Sequence, residues 1–453
     1  MSTKTLTNNG AVTFKSTGAA LVNLFFQIGA SRNNIEAAKK LFDEAMASDI
    51  TKATAVLLYC RDVRAGMGER NIFRVLVKEL IDSDIELARK VLRLTPQIGR
   101  WDDVKEFYGT ELETDAINMI VEGLASKNAL CAKWMDRSDR KLAKALNMNE
   151  CALRKYLSAI RKDTIVEYKM CEKKWSDIAY DKLPSLAGIR YSKAYKKNDE
   201  ARYTAFIGDK HTKVNSSSAY PHNVYQLYKT GEKESASKYW ANLSKLNVTG
   251  KILCVCDVSG SMGVTASGSV TCMDVSVSLG TFLAQQIKGH FHNKLITFSD
   301  TPTIVSIPET DNIAEVFSFV ERMNWGMSTN LEATFDAILK EAKRFNVSPD
   351  DMPSTLLILS DMEFNQACSN SNSTLYETME KKFADSKYTA PSICFWNLNG
   401  SGKNFPVMKN EKGACLVSGF SPKVLEAVTS AADFTPETVV EEAIKPFVDM
   451  LNK

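Results

Sequence analysis

The sequence predicts an all-helical N-terminal half followed by a doubly wound parallel α/β domain. Two observations predict this fold class. As far as Trp240, apolar residues recur every three or four positions, which is the period of helices that bury one face. From Lys251 onwards, short apolar strands without polar alternation are separated by helices, which is typical of a parallel sheet covered on both faces. Because 453 residues exceed the usual size of one hydrophobic core, we expect two domains, at residues 1–245 and 246–453.

The first half contains segments with the helical period that are each 11 to 17 residues long. Such lengths suit antiparallel helical hairpins. The segments span residues 33–49, 50–64, 69–82 and 84–94. Loops rich in glycine and arginine lie beside them, notably RDVRAGMGER at residues 61–70 and GRWDD at residues 99–103.

The second half contains six predicted strands. They lie within residues 251–256, 292–300, 301–308, 354–361, 390–399 and 413–419. We expect the third of them to pair with the second as an edge hairpin. The last helix is expected to begin after Thr435, a good N-cap, with Pro436 in the first helical position, where its missing N–H costs nothing.

Five oxygen-bearing residues of the second half form a candidate metal site. Doubly wound sheets bind ligands at the carboxyl ends of their strands. Asp257 ends the first strand, and Ser259 and Ser261 follow it in an Asp-x-Ser-x-Ser pattern. Thr329 lies in a loop before a helix, and Asp361 ends another strand. Because hard cations prefer oxygen ligands, these residues predict a site for Mg²⁺ or Mn²⁺.

In this order and in these elements, the five residues resemble the metal-ion-dependent adhesion site of von Willebrand factor A domains. The resemblance implies a von Willebrand factor A-like fold for residues 246–453. It also implies that the cation keeps one coordination position through which a protein partner can bind. The alternative is an ion that only braces three loops.

Charge is distributed unevenly along the chain. Residues 1–250 hold 41 Lys and Arg against 30 Asp and Glu, a balance of +11. Residues 251–453 hold 16 against 24, a balance of −8. A basic half favours polyanionic partners, and an acidic half favours cations.

Three basic clusters of the first half are candidates for binding structured or single-stranded RNA. Arginine and lysine neutralise phosphates, and an aromatic ring offers a stacking face to an unpaired base. The clusters are Arg61, Arg64 and Arg70; Lys133, Arg137, Arg140, Lys141 and Lys144; and Lys169, Lys173 and Lys174 with Trp175. The alternative is structural: charge runs are usually solvated helix faces, and Asp62 and Glu69 can pair with the neighbouring arginines as a clasp.

The segment RDVRAGMGER resembles the signature of the Ro ribonucleoprotein family, whose helical part is the TROVE module. The segments GRWDD, CAKWMDRSDR, KMCEKKWSDIAYDKLPSLA and AYPH make the chain similar to an uncharacterised bacterial, phage and plant branch of that family. The resemblance implies a HEAT-like helical domain that binds small structured or misfolded RNA, joined to an A domain that recruits partners. The alternative function is a metal-dependent protein-interaction scaffold without nucleic acid.

Catalysis is not expected from this sequence. The four histidines lie in no GxSxG, HExxH or Cys-His pattern, and no P-loop spacing is present. A phosphatase nucleophile at Asp257 would require a second aspartate where Ser259 stands. We therefore expect a binding protein and not an enzyme.

Composition also bears on the compartment. The longest apolar runs fall short of the roughly 20 residues that cross a bilayer, so no membrane span is expected. The polar N-terminus lacks the apolar centre of a secretory signal. Ten cysteines are scattered without a CxxC pair. We therefore expect a cytoplasmic protein without disulfides.

Overall fold

Helices fill most of the first 246 residues, and a six-stranded sheet with flanking helices follows them. The prediction of a helical region followed by an α/β region is therefore confirmed. The structure is a computed structural model, and it describes residues 4–8, 10–162, 164–246, 251–297, 302–323, 331–362, 375–400, 404–430 and 434–453.

The helical half begins with two short strands and continues with fifteen α-helices in its described residues. The elements are β1 (Lys4–Leu6), β2 (Val12–Phe14), α1 (Ala20–Ile28), α2 (Ile35–Ser48), α3 (Ile50–Arg61), α4 (Asn71–Ser83), α5 (Ile85–Ile98), α6 (Glu113–Ala125), α7 (Ala129–Trp134), α8 (Arg140–Ala145), α9 (Glu150–Arg161), α10 (Val166–Cys171), α11 (Ser185–Arg190), α12 (Ser192–Asn198), α13 (Glu200–Gly208), α14 (Pro221–Lys229) and α15 (Lys233–Ala241).

Polar N-caps fix where several of these helices begin. The side chains of Asn34, Asp49 and Asp84 each accept a hydrogen bond from the backbone N–H three residues later, at 3.3, 2.9 and 2.9 Å. Such a bond satisfies one of the N–H groups that the first turn leaves without a helical partner. Helices α2, α3 and α5 therefore start where the sequence places Asn or Asp before an apolar period.

The second half alternates strands with helices. Its elements are β3 (Ile252–Cys256), β4 (Thr265–Ser267), β5 (Val270–Thr271), α16 (Cys272–Ala284), β6 (Lys294–Thr297), β7 (Thr303–Ser306), α17 (Ile313–Val320), α18 (Leu331–Arg344), β8 (Thr355–Ser360), α19 (Leu375–Asp385), β9 (Ser392–Asn397), β10 (Ala414–Ser418), α20 (Val424–Ser430) and α21 (Pro436–Leu451). As the sequence predicts, α21 has Thr435 as its N-cap and Pro436 in the first turn.

The large sheet has the order β10-β9-β8-β3-β6-β7, in which only the edge strand β7 runs antiparallel to its neighbour. Counting its six strands in chain order and starting from β7, this is the doubly wound order 3-2-1-4-5-6. The strand order reverses between β3 and β8. In such sheets, the crevice for ligands opens at this reversal point, outside the carboxyl ends of the two strands.

Two hairpins are not predicted by the sequence analysis. The antiparallel pair β1 and β2 lies at the N-terminus, and Phe14 forms a further bridge with Phe405 of the second half. The pair β4 and β5 follows the Asp-x-Ser-x-Ser loop and leads into α16. Both hairpins are short and rich in polar residues, so they lack the apolar alternation that marks a strand in a sequence.

The two halves share one apolar core. Helix α1 packs against the edge strand β10, and the C-terminal helix α21 packs against α3. The Ser418 hydroxyl at the end of β10 donates to the Phe25 carbonyl at 2.7 Å and accepts from the Gly29 N–H at 3.1 Å. The ring of Tyr59 lies 5.3 Å from Phe25 and 5.8 Å from Phe447. Residues of both predicted domains are thus joined, while the domain boundary itself stays a prediction.

Helix α16 is buried along almost its whole length. It packs against β3 on one side and against α14 of the helical half on the other. A Cβ at Gly280 would lie 2.2 Å from the Cys256 sulfur, so this close approach of helix to strand requires glycine. Because α16 contacts both β3 and α14, it joins α14 of the helical half to the sheet.

In the described part of the chain, no helix is long and apolar enough to cross a membrane. The nine cysteines that the structure describes are free thiols. Cys151 and Cys171 are exposed, and the other seven are buried. The tenth cysteine, Cys368, lies outside the described residues.

A buried ion pair joins two motifs of the helical half. Arg61 is 1% exposed and donates from Nε and Nη2 to one carboxylate oxygen of Asp103, at 2.9 and 2.6 Å. Asp103 is fully buried and also accepts from Arg74 at 2.8 Å and from the Arg100 backbone N–H at 3.0 Å. Removing one partner of such a pair leaves an uncompensated charge in the interior.

We therefore expect Asp103→Ala to lower the free energy of unfolding by about 3–5 kcal/mol, because Arg61 stays buried without its carboxylate. The matched control is Asp102→Ala. Asp102 also pairs with Arg74 and with Lys105, but it is partly exposed and its loss leaves Arg74 bonded to Asp103, so this change should cost clearly less. Urea unfolding monitored by circular dichroism measures both, and equal losses would contradict the structural role given to Asp103.

Candidate metal centre and basic surfaces

The predicted carboxylate ligands lie at the carboxyl ends of two adjacent strands. Asp257 follows β3 and Asp361 follows β8, and these strands pair in parallel at the reversal point of the sheet. The Asp257 backbone N–H donates to the Leu359 carbonyl at 2.9 Å, which extends the pairing to this edge. Both carboxyl side chains are buried, at 0% and 2% exposure.

The side chain of Asp257 is held by neutral donors. One carboxylate oxygen accepts from the Ser259 backbone N–H at 2.9 Å, and the other accepts from the Ser360 hydroxyl at 2.6 Å. Burial and, after it, the negative charge of Asp361 raise the pKa of Asp257 to about 6. Two buried carboxyl groups at one edge repel each other, and a cation between them would remove this repulsion.

The serine hydroxyls complete the described part of the site. The Oγ atoms of Ser259 and Ser261 lie 3.0 Å apart in the loop after β3. Thr329, the fifth predicted ligand, lies outside the described residues. The donor set therefore consists of two carboxylates and two hydroxyls, all hard oxygen ligands that fit Mg²⁺ or Mn²⁺.

A cluster of three or more His, Cys, Asp or Glu side chains, which is a different kind of metal site, is not found among the described residues. Ser360 was missed by the sequence analysis. Its signal was its place directly before Asp361 at the end of an apolar strand.

The loop at residues 61–70, called the clasp loop below, is held by ion pairs with residues from other parts of the chain. Arg61 pairs with Asp103 of GRWDD, and Glu69 pairs with Arg32. The exposed Arg64 donates to the Gln97 carbonyl at 2.6 Å. Of the three arginines predicted to bind RNA here, Arg61 is thus inside the protein, while Arg64 and Arg70 are exposed.

The clasp loop also contacts the segment AYPH. Gly68 has a φ of +73°, and a Cβ there would lie 2.7 Å from the Tyr220 hydroxyl oxygen. Glycine is therefore required for both the backbone conformation and the contact. The structure brings together RDVRAGMGER, GRWDD and AYPH, three segments that are far apart in the sequence.

Most cations of the second basic cluster are paired with carboxylates. Lys133 lies 2.6 Å from Glu167, Arg140 lies 3.3 Å from Glu150, and Lys141 pairs with Glu113. The remaining two, Arg137 and Lys144, are exposed, and within the described residues neither has a carboxylate partner.

The third basic cluster lies beside a separate aromatic core. The Lys169 ammonium donates to the Asp177 carbonyl at 3.0 Å, and Lys174 pairs with Glu172 at 2.8 Å. Lys173 is exposed, with a φ of +59°. Trp175 is half-buried and lies edge-on to Tyr195 at 6.5 Å, at the rim of a small apolar cluster. Its ring therefore packs structurally and is only partly available for stacking.

Family models match two segments of the chain. Residues 111–249 match a model described as "Domain of unknown function (DUF2828)". Residues 251–446 match another, described as "Domain of unknown function (DUF7788)". The descriptions assign no activity to either segment.

The chain is similar to the uncharacterised protein L728 of Acanthamoeba polyphaga mimivirus. The two are 26% identical over an alignment of 518 residues, gaps included, and this alignment covers 99% of this chain and 88% of that protein. Among solved structures, the Ro (RSR) protein of Deinococcus radiodurans aligns with 94% of this chain and 93% of its own, at 12% identity and a TM-score of 0.35. That TM-score is too low to establish a common fold.

Proposed function

We propose that this chain is an RNA-binding protein whose sheet domain is of the von Willebrand factor A type and holds Mg²⁺ or Mn²⁺. The observation that carries the metal part is the pair of buried carboxyl groups, Asp257 and Asp361, at the reversal point of the sheet. The hydroxyls of Ser259 and Ser261 lie in the same loop as Asp257. Thr329 would be the fifth ligand.

The cation would supply an electrophilic position to which a carboxylate of a protein partner can bind. The chain's own residues prepare that position. Ser360 and the Ser259 N–H orient Asp257, and burial keeps bulk water away from its carboxylate. This is a binding function, and we propose no catalytic step.

The proposal of RNA binding rests on the charge of the helical half. Its balance of +11 contrasts with −8 in the second half. The exposed side chains of Arg64, Arg70, Arg137 and Lys173 are the members of the predicted clusters best placed to reach phosphates. Structured RNA with unpaired loops or ends would be the preferred class, because its backbone and its open bases are both accessible.

One observation favours the second candidate, a metal-dependent scaffold without nucleic acid. Lys133, Arg140, Lys141 and Lys174 are already paired with glutamates of the same half. A phosphate contact by these cations would first have to replace an existing ion pair. The two candidates therefore differ in whether the exposed cations bind RNA at all.

We expect saturating Mg²⁺ to raise the melting temperature, because a ligand that binds only the folded state stabilises it by about 2.7 kcal/mol at 100 times its Kd. Asp257→Ala should abolish this shift. The control is Asp350→Ala, which removes an exposed acid outside the site and should keep it. Thermal melts with Mg²⁺ and with chelator measure the shifts, and equal shifts in all three proteins would refute the metal site.

In chelator, stability should depend on pH through Asp257. Its pKa is about 6 in the folded protein, above the ordinary value of 3.8, so ionised Asp257 destabilises the fold. The penalty is about 3 kcal/mol above pH 6 and disappears as pH falls towards 4. Urea unfolding across this range should show the effect in the wild type but not in Asp257→Asn. Identical pH profiles for the two proteins would contradict it.

For RNA, we expect salt-dependent binding of a hairpin with an unpaired loop. Each lost phosphate contact lowers the slope of log K against log salt by about 0.7 on a single strand. Replacing both Arg137 and Lys173 by Gln should therefore flatten the slope by up to about 1.4. Lys381→Gln, an exposed change in the acidic half, is the control. If fluorescence anisotropy detects no salt-dependent affinity, the scaffold function replaces RNA binding.

A further inference from the structure

A cavity of about 580 Å³ lies where the two halves of the chain meet. One wall is formed by the clasp loop and the first turn of α4, and another by Tyr220 and His222 at the start of α14. The hairpin of β4 and β5 contributes Thr265 and Gly268. The hairpin is tied to the helical half by the Asn33 side-chain amide, which donates to the Thr265 carbonyl at 3.1 Å.

The N-terminus of α4 opens into this cavity without a cap. Its N-cap residue is Arg70, which makes no side-chain capping bond, and Arg70, Asn71 and Ile72 all line the cavity. In the part of the chain that the structure describes, no acceptor is bonded to the backbone N–H groups of these residues. Free N–H groups at the positive end of a 13-residue helix form an anion site.

Arginine side chains surround the same space. Arg32, Arg61, Arg70 and Arg100 line it, against the single acid Glu69. Arg32 is paired with Glu69, and Arg61 with Asp103, which leaves Arg70 and Arg100 without a carboxylate partner among the described residues. Burial, followed by the positive charges of Arg70 and Arg61, lowers the pKa of Arg100. The cavity thus carries uncompensated positive charge.

A buried imidazole without a hydrogen-bond partner also lines the cavity. His222 is 8% exposed, and in the described protein its Nδ1 atom bonds to no acceptor or donor. Its ring lies 5.6 Å from the rings of both Tyr220 and Phe420. Burial, and after it the charge of Arg32, lowers the pKa of His222 to about 3, so the ring is neutral at neutral pH. A neutral imidazole can donate one N–H, and a buried donor without an acceptor is rare.

We propose that this cavity binds a phosphate monoester, with a phosphate oxygen facing the first turn of α4. Guanidinium groups match the geometry of phosphate oxygens, and neither Arg70 nor Arg100 is paired with a carboxylate among the described residues, although the Arg100 guanidinium also lies 4.9 Å from the Trp134 ring. The His222 ring and the N–H groups of Asn71 and Ile72 supply further donors. A volume of about 580 Å³ has room for a nucleotide as well as for its phosphate alone. This site shares Arg70 with the exposed cations proposed for RNA, but its other donors are residues that the RNA proposal does not use, and it would exist without that function.

The phosphate can come from a free nucleotide or from the 5′ end of an RNA strand. Titration calorimetry of the full chain with inorganic phosphate and with a nucleoside 5′-monophosphate measures the first source. Competition between two hairpins of identical sequence, one with a 5′-phosphate and one with a 5′-hydroxyl, measures the second. Stronger binding by either phosphorylated probe supports the site and identifies its source.

Two variants test the site without disturbing the core. Arg70→Gln removes an exposed cation and should weaken phosphate binding roughly tenfold. Asn71→Asp places a carboxylate in the first turn of α4, where it favours the helix but repels phosphate, so binding should weaken by about as much while the melting temperature does not fall. Arg93→Gln, an exposed change on α5 outside the cavity, is the matched control.

The proposal is overturned if no phosphate probe binds the wild type, or if Arg70→Gln and Asn71→Asp bind as tightly as Arg93→Gln. These outcomes are distinct from failure of the RNA proposal. Binding of the 5′-hydroxyl hairpin reports the exposed cations Arg64, Arg137 and Lys173, and it should be insensitive to Asn71→Asp.

Discussion

Two helices, each packed against the opposite half of the chain, fix the position of the helical half relative to the sheet. Helix α1 covers the edge strand β10, and the C-terminal helix α21 covers α3, so each half supplies a helix to the core of the other. Asn397 and Ser418, at the carboxyl ends of β9 and β10, are bonded to α1. This side of the sheet edge is therefore structural. The reversal point between β3 and β8, with Asp257 and Asp361 at its strand ends, lies away from this contact with α1 in the strand order.

The same packing gives the arginine-rich loop two roles. Its inner arginine, Arg61, stabilises the helical half through Asp103, while the next helix begins with the exposed Arg70 at the junction cavity. Charge alone does not separate these roles, because both residues are arginines of one ten-residue segment. What separates them is the carboxylate of Asp103, which lies 42 residues after Arg61 and bonds the side chains of Arg61 and Arg74 but not that of Arg70 among the described residues.

The structure contains two places where charge of one sign predominates, negative at the sheet edge and positive in the junction cavity. At the sheet edge, the buried carboxylate of Asp257 is bonded by neutral donors and faces the charge of Asp361. In the cavity, arginines exceed acids beside an uncapped helix. Charged groups are costly to bury without partners. A cation at the first place and an anion at the second would each compensate such an imbalance.

The sequence by itself determined the order of the six strands of the large sheet along the chain and the position of Asp257, Ser259, Ser261 and Asp361 near strand ends, because apolar strands and their polar ends are local patterns. It did not predict the helix α17. It did not predict the two hairpins, because their strands are short and polar and show no alternation of apolar and polar residues. Nor did it decide which arginines are buried, since Asp103, Glu69 and Arg32 become partners only when distant segments fold together. Only the tertiary structure decided the junction cavity. Its walls come from α4, α14 and the hairpin of β4 and β5, and no local sequence pattern predicts that these elements lie together.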